Sequence, residues 1–231
     1  MTDEPALLAA IHAHPDEDTP RLAYADWLDE NGRPERAAFI RLQCDPARSA
    51  DDPDEAEYLV SELEDRNRTQ WLAGLPRFPW VTWEFRRGFP EIVIAPGDLF
   101  LERYESFAHL PGLRSVCLDR MGNALVRDLA SRPWHPGWVE LELQEDPMAG
   151  IGSWGYESTP AFVAIARCEQ ARQLRRLQFS LFTLTTIAAR ELAESPHLEH
   201  LEELHLEGDP ASSWFAALRV RFGDRLVVDR D

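Results

Sequence analysis

Between residues 89 and 206 one spacing recurs five times: an apolar residue, two others, an apolar residue, one other, and a final apolar residue. The instances are Phe89/Ile92/Ile94, Leu113/Val116/Leu118, Trp138/Leu141/Leu143, Leu174/Leu177/Phe179 and Leu201/Leu204/Leu206. Their starts lie 24, 25, 36 and 27 residues apart. Alternation over the last three positions is the mark of a strand with one buried face. A period in the twenties means that each unit is too small to bury its own apolar face, so neighbours must stack into one continuous core. The longest interval is explained by an insertion at Met148 to Tyr156, where Gly150, Gly152 and Gly155 make a loop that presents Trp154.

Between the strand-like runs the sequence turns helical, over 124–131, over 160–171 behind Thr159 as cap, over 186–194 and over 212–219. Strand plus helix per unit predicts an α/β fold, a short leucine-rich-repeat-like solenoid closed by a last strand within 222–228. The position where such a unit usually carries Asn holds Met121, Asp146, Phe182 and Asp209. An irregular, weakly curved solenoid is therefore expected.

The first 76 residues read differently, as an acidic helical module followed by the solenoid over 77–231. Thr2 is placed to cap a helix carrying Leu7, Leu8 and Ile11. Thr19-Pro20 starts a second helix and Asn31-Gly32 stops it, while Pro34 and Pro53 open a third and a fourth. Residues 1 to 65 hold 18 acidic residues against 5 Arg, a balance of −13 out of the chain's −17.

Asp3 to Gln43 carries the segments His14-Pro15-Asp16-Glu17-Asp18-Thr19-Pro20-Arg21-Leu22, Tyr24-Ala25-Asp26-Trp27-Leu28 and Phe39-Ile40-Arg41-Leu42-Gln43. This stretch closely resembles the bacterial repeat-companion domain, a module of about 40 residues found ahead of leucine-rich-like repeats. Phe85-Arg86-Arg87-Gly88-Phe89, Ser195-Pro196-His197-Leu198 and Arg221-Phe222-Gly223-Asp224-Arg225 look like the repeat portion of the same proteins. The resemblance implies the two-part architecture and no established activity.

Net charge and cysteine spacing narrow the function. A chain of charge −17 repels phosphate backbones unless a basic patch overcomes it, and its 24 basic residues, all Arg, are not clustered into one, so nucleic acid is not expected as a partner. No apolar run of membrane-spanning length occurs, and the start Met1-Thr2-Asp3-Glu4-Pro5 is acidic where a secretory signal is basic. A cytoplasmic protein with no membrane partner is expected. Cys44, Cys117 and Cys168 form no CxxC pair, which favours isolated thiols over a disulfide framework or zinc knuckle.

Chemistry has three candidate places. His12, His14, Asp16, Glu17 and Asp18 offer metal-type ligands, but acidic residues ahead of a helix start also complement its dipole, and the spacing matches no HExxH site. Cys168 or Cys117 could pair with His197 or His205 as nucleophile and base. Arg86-Arg87-Gly88 reads as a phosphate clamp or, with its glycine, as a turn. No metal, no cofactor and no catalytic residue is assigned.

Strand alternation supplies the main expectation. With the apolar positions turned inward, the outward residues include Cys117 and Asp119, then Glu140, Glu142 and Gln144, then Arg176 and Gln178, then Glu203, His205 and Glu207. Together with Trp154 they predict a partner-binding concave face suited to a protein with a basic surface. The expected function is a non-catalytic interaction scaffold or adaptor. The alternatives are an acidic inhibitor or immunity protein that masks a basic nuclease or toxin and, more remotely, a metal-dependent hydrolase.

Overall fold

The structure, a computed structural model, describes residues 3–45, 53–146, 158–209, 211–212 and 214–229. Trp154 and the insertion around it lie outside the described residues, as does Thr2. The chain is α/β, and its strands form a seven-stranded sheet in sequential order from first to last. Contacts divide it into two compact units, one of Met1–Arg77 with Trp83–Glu91, the other of Phe78–Thr82 with Ile92–Asp231. Residues 83–91 group with the helical segment.

In the first unit α1 spans Glu4–Ala13, α2 Thr19–Glu30, α3 Pro34–Cys44 and α4 Pro53–Trp71. Prolines sit in the first turns of α1, α2 and α3, where the missing N–H costs nothing. Thr19 is the first residue of α2 and Asp18 the cap position, with no side-chain cap bond. The expected Thr19 cap is therefore displaced by one residue. Gly32, at φ +75°, ends α2: Arg33 N–H bonds Leu28 O and Gly32 N–H bonds Asp29 O, the paired closure that a left-handed residue makes possible.

These helices meet over Ile11, Tyr24, Ala25, Leu28, Ala37 and Ile40, with Phe89 packed against them. Strand β1 (Thr82–Arg86) and the start of β2 (Phe89–Pro96) are joined by Arg87 and Gly88, both at positive φ, the pattern of a tight hairpin turn. Glycine is required at 88, because a Cβ there would run into Ile40. The Gly88 N–H also donates to Gln43 Oε1 at 2.6 Å. Phe39-Ile40-Arg41-Leu42-Gln43 and Phe85-Arg86-Arg87-Gly88-Phe89, distant in sequence, are in contact for this reason. Phe85 adds to a cluster with Phe39 and Trp71, over which Arg36 lies with its guanidinium 4.6 Å from the Trp71 ring. Burial pulls the Arg36 pKa down to about 10.

In the second unit strands alternate with helices. β2 is followed by α5 (Gly97–Glu102) and α6 (Tyr104–Ala108), β3 (Ser115–Met121) by α7 (Asn123–Ser131), and β4 (Glu140–Glu145) by α8 (Thr159–Ala166). β5 (Arg176–Ser180) is followed by α9 (Thr186–Glu194), β6 (Glu203–Glu207) by α10 (Phe215–Phe222), and β7 (Leu226–Asp229) ends the sheet. All pairs from β2 to β7 are parallel. Helices α7 to α10 touch in succession.

One sheet face is buried by Val116, Leu118, Leu141, Leu143, Leu177, Phe179, Leu204 and Leu206. Phe162 of α8 meets Phe179 of β5 at 4.4 Å between ring centres, which places that helix on this face. Strands β4, β5 and β6 enter the sheet through the same device: two successive N–H groups share one carbonyl of the preceding strand's entry. Val139 and Glu140 use Arg114 O, Arg175 and Arg176 use Val139 O, and Glu202 and Glu203 use Arg175 O.

Five expectations are corrected here. The helix expected over 160–171 stops at Ala166, and a 3-10 turn, Glu169–Gln173, follows because Cys168 is extended. Thr159 is the first residue of α8 and not its cap, while the Ser158 hydroxyl turns to the buried Glu145 carboxylate, 2.9 and 3.1 Å away. The helix expected over 212–219 runs over Phe215–Phe222, so the closing strand is confined to Leu226–Asp229. Two short helices, α5 and α6, lie where no helix was expected. With six and five residues they are too brief to show a period, although Phe100, Tyr104 and Phe107 are buried.

The fifth correction concerns register. The spacing equates Phe89/Ile92/Ile94 with Leu113/Val116/Leu118, but Val93 pairs with Val116 and Ala95 with Leu118. Val93 and Ala95 are buried, whereas Ile92 and Ile94 turn to the opposite face. A slip of one residue exchanges the two faces of a strand, and β2 has apolar residues at both parities.

Candidate functional site

The expected site residues come together on the face of the sheet opposite the helices. Parallel register sets them in rows. Ile92, Ser115, Glu140, Arg176 and Glu203 form the first row; Ile94, Cys117, Glu142, Gln178, His205 and Val227 form the second. In the third, Pro96 pairs with Asp119, Gln144 with Ser180, and Glu207 with Asp229. A bulge interrupts this row: Asp119 and Arg120 together face Gln144, and Arg120 takes the left-handed conformation at φ +54°.

The face is less open than alternation alone suggests. Gln144 and Arg176 are exposed, while Cys117, Asp119, Glu140, Glu142, Gln178, Glu203, His205 and Glu207 are half-buried, because side chains in adjacent rows cover one another. Ser115 and Ser180 are buried outright. The carboxylates differ in their engagement. Glu203 accepts from His205 Nε2 at 3.0 Å and from Arg176 Nε at 2.8 Å. Those two hydrogen bonds, His205 first, hold its carboxyl below the usual carboxylate range. Glu207 Oε2 accepts the Leu181 N–H at 2.6 Å. The Glu142 side chain, in the centre, makes no hydrogen bond or ion pair with any described residue.

Sequence reasoning missed the ends of this face. Ile92 and Ile94 on one side and Val227 on the other give it apolar margins around an acidic centre. The missing signal was register, which no single strand carries. A cavity of about 370 Å³ was also missed. It lies at the C-terminal ends of β5 and β6, lined by Leu181, Phe182, Leu184, Trp214 and Phe215 with Glu207 and Asp209. Leu181 sits there about half exposed in the left-handed conformation, φ +65°. Glu207 belongs both to this cavity and to the third row. Strand C-termini are where parallel α/β sheets form ligand crevices.

The other candidates are dispersed. Cys117 and His205 share a row but are three strands apart, about 14 Å at the usual strand spacing, too far for proton transfer. Cys168 is buried, its thiol 3.4 Å from Ala130 O and 3.1 Å from Gln170 Oε1, and burial raises its pKa. His197 accepts from Arg172 Nε. His14 pairs with Glu17 at 3.2 Å, and among the described residues no three His, Cys, Asp or Glu side chains gather as metal ligands would. Arg87-Gly88 is a hairpin turn, with Arg87 Nη2 donating to Pro15 O at 2.5 Å.

Burial also pushes the Cys44 thiol up to about 11 from an ordinary value near 9. Two units reduce the thiolate fraction at neutral pH about a hundredfold. Cys44 and Cys168 should therefore resist iodoacetamide at pH 7.5 in the folded protein and react readily in urea, as mapped by mass spectrometry. Rapid native labelling of Cys168 would restore it as a nucleophile.

No described helix is long and apolar enough to cross a membrane. Comparison of the chain with protein-family models, with curated proteins and with solved structures returns no match in any of the three.

Proposed function

We propose that this protein is a non-catalytic, cytoplasmic adaptor, a repeat-companion module joined to a short leucine-rich-like solenoid, that captures a partner protein on the outer sheet face. The observation that carries this reading is the in-register acidic face: among the described residues Asp119, Glu140, Glu142, Glu203, Glu207 and Asp229 against Arg176 and against Arg120, which is paired with Asp119, between apolar margins. Apolar anchors beside desolvated charge are the anatomy of a protein interface, and the sign of the charge selects a basic partner. Central, unengaged Glu142 is the expected anchor, because binding it breaks no existing bond. Glu203, already held by Arg176 and His205, contributes less.

The alternative, an inhibitor that masks a basic nuclease or toxin, draws on the same acidic face and on the net charge of −17. It differs in its consequence: the captured protein loses its activity.

An affinity capture from the native host tests both. The triple variant Glu140→Arg, Glu142→Arg, Glu203→Arg is expected to lose a basic protein that the wild type retains, and capture should weaken steeply between low and high salt. Capture unchanged by the triple variant would remove the face from consideration. A toxin or nuclease silenced by the wild type alone would select the inhibitor reading.

A further inference from the structure

The helical unit carries a groove that the sheet face does not use. It encloses about 810 Å³ and is lined from α2 by Leu22 and Asp26, from α3 by Ala38, Arg41, Leu42 and Asp45, and from α4 by Leu59, Glu62, Leu63 and Arg66. Its two long walls match. Ala38 and Leu42 stand one turn apart on α3, Leu59 and Leu63 one turn apart on α4, so each wall is a short apolar stripe. Leu22, Leu59 and Leu63 are half-buried, although leucines of an antiparallel helix pair normally disappear into the seam.

The rim has a sign. Arg41 is consumed by two carboxylates, bonding Asp29 at 2.6 Å and Asp26 at 2.7 Å, and Arg66 is bound by Glu62. The hydrogen bonds to Asp26 and then Asp29 raise the Arg41 pKa, so it stays charged and paired. Neither arginine presents a free cation to a visitor, and residues 1–77 hold 18 acidic residues against 8 Arg, an excess of 10 negative charges.

We propose that this groove docks an amphipathic helix of a partner protein, its apolar stripe seated on Leu22, Leu59 and Leu63 and its flanks basic. Two parallel stripes of i, i+4 residues are what a helix-in-groove receptor offers. A basic flank suits the acidic field and would share Asp26 and Glu62 with the resident arginines.

The test uses the full chain and a fluorescein-labelled synthetic helical peptide with leucines at i, i+4 and i+7 and lysines on both flanks, read by anisotropy. The wild type is expected to bind it. A peptide of the same composition with scrambled order, and one with glutamates replacing the lysines, should bind at least about tenfold more weakly. Leu63→Glu should cost about tenfold or more, and Asp26→Arg, a surface change that spares the core, should also weaken binding. Equal binding of the scrambled or glutamate peptide, or full binding by both variants, overturns the proposal. So does a wild-type dimer in sedimentation that Leu63→Glu dissociates, since the occupant is then a second copy. The sheet-face triple variant should bind the peptide normally; loss of binding there would place the peptide on the sheet instead.

Discussion

Replacing Glu91 by alanine lowers the stability of the helical unit by roughly 3–5 kcal/mol, the usual cost of stranding one member of a buried ion pair. Arg21 Nη2 donates to Glu91 Oε1 at 2.6 Å, and the two side chains are 1% and 3% exposed. The same nitrogen donates to Pro15 O at 2.8 Å, and Phe89 covers the guanidinium at 5.1 Å from its ring centre. Among the described residues Nε and Nη1 of Arg21 meet no hydrogen-bond acceptor, so once the carboxylate is lost only Pro15 O holds the guanidinium. Urea unfolding should show the midpoint falling by roughly 2 M at a slope typical of small domains. The paired replacement Arg21→Met with Glu91→Leu removes both charges and should recover most of that loss. A double variant as unstable as Glu91→Ala would show that packing around Arg21, and not its charge, is what matters.

Phe182→Asn should cost about 3–5 kcal/mol, even though it installs the residue that a regular leucine-rich unit prefers at that position. Phe182 is buried and meets Phe179 at 5.4 Å and Phe162 at 5.9 Å, both edge-on, so its ring completes an aromatic wedge between β5 and α8. An amide there leaves a void and buries two polar groups. Phe182→Leu, which keeps an apolar filling, should cost clearly less. Thermal unfolding distinguishes the outcomes, and an asparagine variant as stable as wild type would mean that an asparagine ladder can form here. Turn satisfaction is instead assigned elsewhere: Asn123 Oδ1 accepts the Ala161 N–H in the first turn of α8, the Thr159 and Thr185 hydroxyls are 2.6 Å apart, and Thr185 accepts from the Ala188 N–H.

Much of the second unit was legible because its signals are local. Leu141-Glu142-Leu143 and Leu204-His205-Leu206 have one apolar and one polar parity, so each strand declares its faces alone, and Glu140, Glu142, Glu203 and His205 are found on the same outward side. The cavity by Leu181 could not be read this way. It arises where the ends of two strands and the approach to α10 converge, and its members are spread from Leu181 to Phe215. The groove in the first unit escaped for a related reason. Only the arrangement of three helices leaves a gap beside Leu59 and Leu63.

By itself the sequence determined the strand-helix alternation, the starts of α3 and α4 at Pro34 and Pro53, the stop at Gly32 and the acidic character of both units. These depend on proline and glycine geometry, on periods of two and 3.6, and on charge, all fixed within a few residues of chain. The tertiary structure alone decided that Ile92 and Ile94 face outward while Val93 and Ala95 enter the core. It also decided that residues 83–91 group with the helices, and which carboxylate on the face is held and which is not. Each of these is settled by a neighbour distant in sequence: Val116 for β2, Ile40 and Gln43 for the hairpin, Arg176 for Glu203. An apolar run of both parities such as Ile92-Val93-Ile94-Ala95 offers two faces of nearly equal hydrophobicity, and only the strand beside it selects one.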